Sequence, residues 1–248
     1  MLFRSRFAER HNIPMVTTLL SKSTIDENHR LFAGVYCGSK TSQESVCKLV
    51  DESDCLIVLG EMLTDMMFGF QSQKFNKRQS IFCSIEELKI RNHNYSNIGF
   101  LDFCNQIFKF DLGKKDESKI FERKIKEKFN PEKTNITTER FFQKIDSMLT
   151  DQMIVVADIG ECLFGASELT VSYHHFISPA FYCSMGFAIP SALGVSFAKP
   201  NLRPVVLVGD GAFQMSATEL STILTHNLNP IIFVLNNHRS EEHTSELQ

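Results

Sequence analysis

The stretch Val205–Asn237, VVLVGDGAFQMSATELSTILTHNLNPIIFVLNN, constrains this chain more than any other. Its run Val205–Val208 reads as a strand, Ala217–His226 as a helix and Ile231–Leu235 as a second strand. Consecutive strands joined by a helix run parallel and leave both carboxyl ends on one edge of a sheet. Open α/β sheets bind ligands at that edge. Asp210 follows the first strand, and Asn237 follows the second, 27 residues later. A carboxylate and an amide oxygen are hard donors that suit Mg2+. Gly209 and Gly211 permit a sharp turn and close approach by backbone. The N–H groups after Gly211, at a helix start, suit phosphate oxygens. G-D-G alone is also a common turn. With a strand before it, a helix after it and Asn236-Asn237 at this spacing, it reads as a clamp for a metal and a diphosphate.

The rest of the chain repeats the same grammar. Ile13–Thr18, Leu31–Tyr36, Cys55–Leu59, Ser80–Cys83 and Ile98–Leu101 read as strands, with a helix over Ser42–Leu49. Thr138–Leu149 reads as a capped amphipathic helix, Met153–Ala157 as a strand, and Ser184–Ala198 as an apolar helix containing Pro190. Between these halves, Lys114–Lys133 holds eight Lys/Arg and five Asp/Glu. That charge density and Pro131 predict a solvated linker, with a basic docking patch as the sharper alternative. The expectation is α/β: two doubly wound parallel-sheet domains, 1–110 and 138–238, joined by a charged linker, 111–137.

Composition removes other classes. Hydrophobic residues make up 43% and charged residues 22%, as in ordinary soluble domains, so a disordered or fibrous chain is excluded. A net charge of −3 predicts neither nucleic acid nor an anionic membrane as a partner. Leu169–Ala198 carries no Asp, Glu, Lys or Arg, but its His, Pro, Ser and Gly favour burial over a membrane span. The seven cysteines include no C-x-x-C pair and read as reduced core thiols of a cytoplasmic protein. Arg239–Gln248, RSEEHTSELQ, resembles a translated sequencing-library adapter and is set aside from fold reasoning. Without Arg239, Glu241, Glu242 and Glu246 the charge is −1. The natural chain is expected to continue past His238.

The G-D-G-A pattern with its distant Asn-Asn resembles the diphosphate and Mg2+ motif of thiamine-diphosphate-dependent enzymes. ADIGECLFGASEL, SPAFYCSMGFAIPSALG and GDGAFQMSATEL follow in the order and spacing of that family's cofactor-binding domain. IPMVTTLLSKSTIDENH, GVYCG and VDESDCLIVLGEMLTDM resemble its central domain. Within the family, the forms D-x-G-x-x-L-F and Y-x-S-M-G-F are most similar to 2-oxo acid decarboxylases, particularly of the phenylpyruvate and indolepyruvate type. Pyruvate decarboxylases usually carry Thr where Glu161 stands.

The resemblance implies roles. Asp210 and Asn237 would ligate Mg2+. A third ligand, a backbone carbonyl two residues after the Asn, would fall on Arg239, inside the adapter-like tail. Gly209, Gly211 and Ala212 would contact the diphosphate of thiamine diphosphate, with Gly160 and Glu161 approaching from a neighbouring strand end. Cys183 would offer its carbonyl to the aminopyrimidine, with Ser184 beside it. Met185 matches the apolar wedge that bends the cofactor into a V. Leu163 and Phe164 face either substrate or core. His174-His175 is read as surface loop, because the family's His pair lies on an amino-terminal domain that nothing here matches. That domain also carries the activating glutamate, so no catalytic residue is expected within this chain.

The implied reaction is non-oxidative decarboxylation of a 2-oxo acid to an aldehyde by a parent homodimer or homotetramer, with this fragment inactive alone. Three other readings stay open. They are an oxidase or acetolactate-synthase-type enzyme of the same family, a phosphoacceptor domain built on Asp210, and a regulatory nucleotide-binding module.

Overall fold

The computed structural model describes residues 2–38, 41, 43–62, 77–85, 87–115, 121, 129–131 and 133–237. The adapter-like tail 239–248 and most of the charged stretch 116–128 lie outside the described residues. By internal contacts the chain divides into two units. One comprises Met1–Ile25 and His29–Ile125, the other Asp26–Asn28 and Lys126–Gln248.

The first unit begins with helix α1 (Leu2–His11) and a parallel pair, β1 (Met15–Thr18) and β2 (Phe32–Tyr36). Helix α2 (Glu44–Asp51) packs on β2 through buried Val46 and Val50. Then come β3 (Leu56–Leu59), β4 (Ser80–Cys83), β5 (Leu88–Ile90) and β6 (His93–Tyr95). β3 and β4 pair in parallel, but β5 and β6 extend that sheet antiparallel, so this unit is not purely parallel. The two-residue turn between β5 and β6 opens at Arg91 with φ 56°. Ile98–Leu101, expected to be a strand, instead leads into helix α3 (Phe100–Ile107). The reason is spacing: Phe100, Phe103, Cys104 and Ile107 turn inward at the helical period, and extended Gly99 caps the start.

The second unit holds one four-stranded sheet flanked by helices. It runs α4 (Thr138–Met148), β7 (Met153–Ala157), α5 (Glu161–Ser167), β8 (Phe176–Ile177), α6 (Ala188–Ala198), β9 (Arg203–Gly209), α7 (Asp210–Ser216), α8 (Glu219–Thr225) and β10 (Ile231–Leu235). The strand order is β10-β9-β7-β8, and every pairing is parallel. Alternate residues of the central strands serve opposite faces. Val155, Ala157, Val205 and Leu207 pack with Phe142 and Ile145 of α4 and Cys162 and Ala166 of α5. Ile154, Val156, Val206 and Val208 pack with Ala188, Ile189, Ala192 and Val195 of α6 and Ile223 of α8. Both faces are covered, which is why β7 and β9 are continuous apolar runs.

Several expected boundaries shift. α6 starts at Ala188 rather than Ser184, because Cys183 (φ 53°) and Gly186 (φ 81°) are left-handed and break any helix there. Pro190 then falls in the first turn, where its missing N–H has no intrahelical partner to lose. The helix expected over Ala217–His226 is α8 alone, with α7 arising directly from β9. Four cysteines are buried core thiols, Cys47 and Cys183 are half-buried, and Cys55 is exposed, contrary to a uniform core reading. No helix among the described residues is long and apolar enough to cross a membrane.

Candidate functional site

The register of the second sheet places the candidate residues. Gly209, the last residue of β9, pairs with Leu235, the last residue of β10. Asp210 and Asn237 therefore leave adjacent parallel strands at the same edge. Ala157 of β7 pairs with Leu207 on the other side of β9, so Asp158, Gly160 and Glu161 leave that edge too. The segment carrying Cys183, Ser184 and Met185 follows β8 at the far end of the sheet.

Met185 nevertheless reaches the β9 exit. A Cβ on Gly211 would meet Met185 Cε at 3.7 Å. Next to it, a Cβ on Gly186 would meet Met215 Cβ at 3.1 Å and the Ala212 carbonyl at 3.5 Å. The Cys183–Gly186 turn thus lies against α7. Cys183 Sγ donates to the Ala180 carbonyl at 3.7 Å, and burial pushes its thiol ionisation up. Ser184 is exposed, Met185 half-buried.

The glycines behave differently from one another. Gly160, at φ 73° and ψ −141°, occupies backbone space that other residues avoid, and it starts α5. Gly209 is extended at φ −72° and Gly211 is helical, and neither has positive φ. A Cβ on Gly209 would meet no atom within 4 Å, and one on Gly211 only Met185. Packing among the described residues does not demand these glycines, and the space beside them is open.

The donor chemistry is mixed. The Asp210 carboxylate is half-buried and makes no hydrogen bond or ion pair with a described residue. Glu161 is exposed in the first turn of α5, and Asn237 is exposed. No cluster of three His, Cys, Asp or Glu side chains suited to a metal occurs among the described residues. A divalent cation here would rest on one carboxylate, one amide oxygen and backbone carbonyls, a set that Mg2+ accepts. The unpartnered carboxylate and the open glycine surface fit thiamine diphosphate with Mg2+.

Other sequence candidates sit elsewhere. Leu163 is buried, and Phe164 is half-buried. His174 is exposed and stacks on Tyr173 at 3.9 Å, while His175 precedes β8 on its amino-terminal side, away from the carboxyl edge. One residue was missed. Asp158, directly after β7, is fully buried, and its carboxylate accepts three backbone N–H groups. In sequence it is only a lone acid after an apolar strand, and its burial and backbone donors appear only in the fold.

With this geometry in view, comparison with known proteins is decisive. The family model for the thiamine pyrophosphate enzyme C-terminal TPP binding domain matches residues 158–242. The model for the central domain of the same enzymes matches residues 4–108. The chain belongs to the thiamine pyrophosphate enzymes. Among curated relatives of these enzymes, an alpha-keto-acid decarboxylase of Mycolicibacterium paratuberculosis is 27% identical over 229 residues, 91% of this chain and 40% of that protein. Pyruvate decarboxylase isozyme 1 of Saccharomyces cerevisiae is 28% identical over 235 residues, 90% of this chain and 41% of its own. The indole-3-pyruvate decarboxylase of Azospirillum brasilense is 25% identical over 243 residues, 94% and 43%. The chain spans about two fifths of the length of these curated relatives.

Proposed function

We propose that this chain is the central and cofactor-binding part of a decarboxylase that converts a 2-oxo acid to an aldehyde with thiamine diphosphate and Mg2+. The observation that carries the reading is the pairing of Gly209 with Leu235, which sets Asp210 and Asn237 at adjacent strand exits. The names of the relatives support the reaction class.

In this reading Asp210 and Asn237 hold Mg2+, and the backbone of Gly209, Gly211 and Ala212 contacts the diphosphate. Gly160 and Glu161 border it from the exit of β7. Cys183 and Ser184 would face the aminopyrimidine, and Met185 would serve as the apolar wedge against the cofactor. A flexible thioether can fill such a gap without demanding one shape. When bound, thiamine diphosphate supplies the nucleophilic carbon and the electron sink for CO2 loss. The chain's part is to anchor, bend and shield it. In the same reading the activating glutamate is supplied by the family's amino-terminal domain, which this sequence does not resemble, and the 248 residues alone are expected not to turn over. In this reading the domains are 1–110 and 138–238 with the linker 111–137 between them, and the parent is a homodimer or homotetramer in the cytoplasm, acting on a free small molecule.

Isothermal titration of the 248-residue chain with thiamine diphosphate tests the binding half. Binding should require Mg2+ and disappear in Asp210→Ala and Asn237→Ala without loss of folded structure. Metal-independent binding, or unchanged binding in Asp210→Ala, overturns the site. CO2 release from 2-oxo acids by this chain alone overturns the expectation of inactivity.

A further inference from the structure

The strand order sets a routing problem. Met185 follows β8 but ends beside Gly211, which follows β9, and β7 lies between those strands. The segment after β8 must therefore cross the carboxyl end of β7. Asp158 stands at that end. Its Oδ1 accepts from Ile159 N at 3.0 Å and from Gly186 N at 3.3 Å, and its Oδ2 accepts from Ala188 N at 2.9 Å. Its own N–H donates to the Leu207 carbonyl at 2.8 Å, fixing it to β9. The side chain is 0% exposed and makes no ion pair with a described residue.

We propose that Asp158 is the positioning residue of the Met185 wedge, holding the crossing segment in the one place from which Met185 meets the cofactor. This rests on the thiamine-diphosphate reading above.

The physical case has three parts. A buried carboxylate with only backbone donors is costly to retain unless those donors stay in place. Here the donors are the residue after Met185 and the first residue of α6, whose amino end favours negative charge. The turn they close contains two left-handed residues, Cys183 and Gly186, so it has no regular ladder of its own. Finally, the same carboxylate takes Ile159 N, which enters Gly160 and Glu161. One side chain thus sets both the wedge and the strand exit next to the diphosphate positions.

An Asn at 158 keeps the volume but puts an NH2 against at least one of those N–H groups. The wedge should shift while the Asp210 and Gly211 surface remains. The test compares thiamine diphosphate with inorganic pyrophosphate, both with Mg2+, by titration of the wild-type chain and Asp158→Asn. Pyrophosphate has nothing for Met185 to bend. The expected result is loss of thiamine diphosphate affinity by roughly 10-fold or more, as for supporting residues around ligand sites, with pyrophosphate affinity changed by less than about 3-fold. A Met185→Ala control should show the same selectivity, and adding Asp158→Asn to it should lower thiamine diphosphate affinity little further. Equal affinities in wild type and Asp158→Asn, or parallel loss of both ligands, overturn the positioning role alone. Failure of the wild type to bind either ligand overturns the cofactor reading itself. Should Asp158→Asn not fold, amide exchange on the wild type decides: Gly186 and Ala188 should be protected far beyond Ser184. Free exchange at both overturns the proposal.

Discussion

Two glycine-to-alanine substitutions eight residues apart should move stability in opposite directions. Gly186 sits at φ 81°, and a Cβ there would lie 3.1 Å from Met215 Cβ and 3.5 Å from the Ala212 carbonyl. Left-handed backbone costs an alanine roughly 1–2 kcal/mol. Crowding against Met215 adds about 1 kcal/mol or more, because its Cβ is not the free end of a side chain. Gly186→Ala should therefore cost about 2–4 kcal/mol. Gly194 lies within α6, is exposed, and a Cβ there would meet nothing within 4 Å. Gly194→Ala should stabilise by roughly 0.5–1 kcal/mol, since alanine loses less backbone freedom in a helix. Urea unfolding followed by pulse proteolysis of the second unit separates the two. With a slope of roughly 1–3 kcal/mol per molar, the midpoints should part by about 1 M or more. Shifts of the same sign, or a Gly186→Ala midpoint within error of wild type, would refute both the left-handed turn and its contact with α7.

Three further substitutions probe other joints of the fold. A Cβ on Gly165 would overlap the Phe142 ring, so Gly165→Ala should prise α5 from α4 and cost roughly 1–3 kcal/mol in the same unfolding assay. Thr137 caps α4 by accepting from Arg140 N at 3.3 Å, and Thr137→Ala should lower stability by about 1 kcal/mol, with Thr137→Ser restoring most of it. Burial and then the hydrogen bond to Asp51 raise the ionisation of the Tyr36 phenol above its ordinary value. An unfolded chain ionises that phenol near pH 10, so Tyr36 stabilises the first unit fully below about pH 10 and progressively less above it. The alkaline fall in stability should be shallower in Tyr36→Phe; an unchanged profile would rule this out.

What could be read in advance follows the physics of each element. β7 and β9 are buried on both faces, so their apolar runs announce themselves without any knowledge of neighbours. Met153–Ala157 matches its expected limits for that reason, while Ser80–Cys83 and the edge strand Ile231–Leu235 match theirs as short apolar runs only partly buried. His93–Tyr95 is exposed along its length and owes its strand conformation to pairing with β5, so no periodicity in HNY could reveal it. Ile98–Leu101 misled because a four-residue apolar window cannot separate a strand from the first turn of a helix. Only Phe103, Cys104 and Ile107, beyond that window, set the period.

The site divides along the same line. The placement of Asp210 and Asn237 is a matter of register: once two strands are parallel and adjacent, the residues after them share an edge. Met185 is harder, because nothing local says that a segment leaving β8 returns across β7. That path is set by Gly186 against Met215 and by the Asp158 carboxylate, contacts spanning 28 to 30 residues. The family motif carried the position of Met185 without the means by which it is held. The holding residue was visible as Asp158 in ADIGE, yet a lone acid after a strand has no distinguishing pattern until its partners are known. Motifs in this chain mark the atoms that would touch the ligand. The residue that aims them shows itself only through burial, as a carboxylate with no exposure that accepts from three backbone donors.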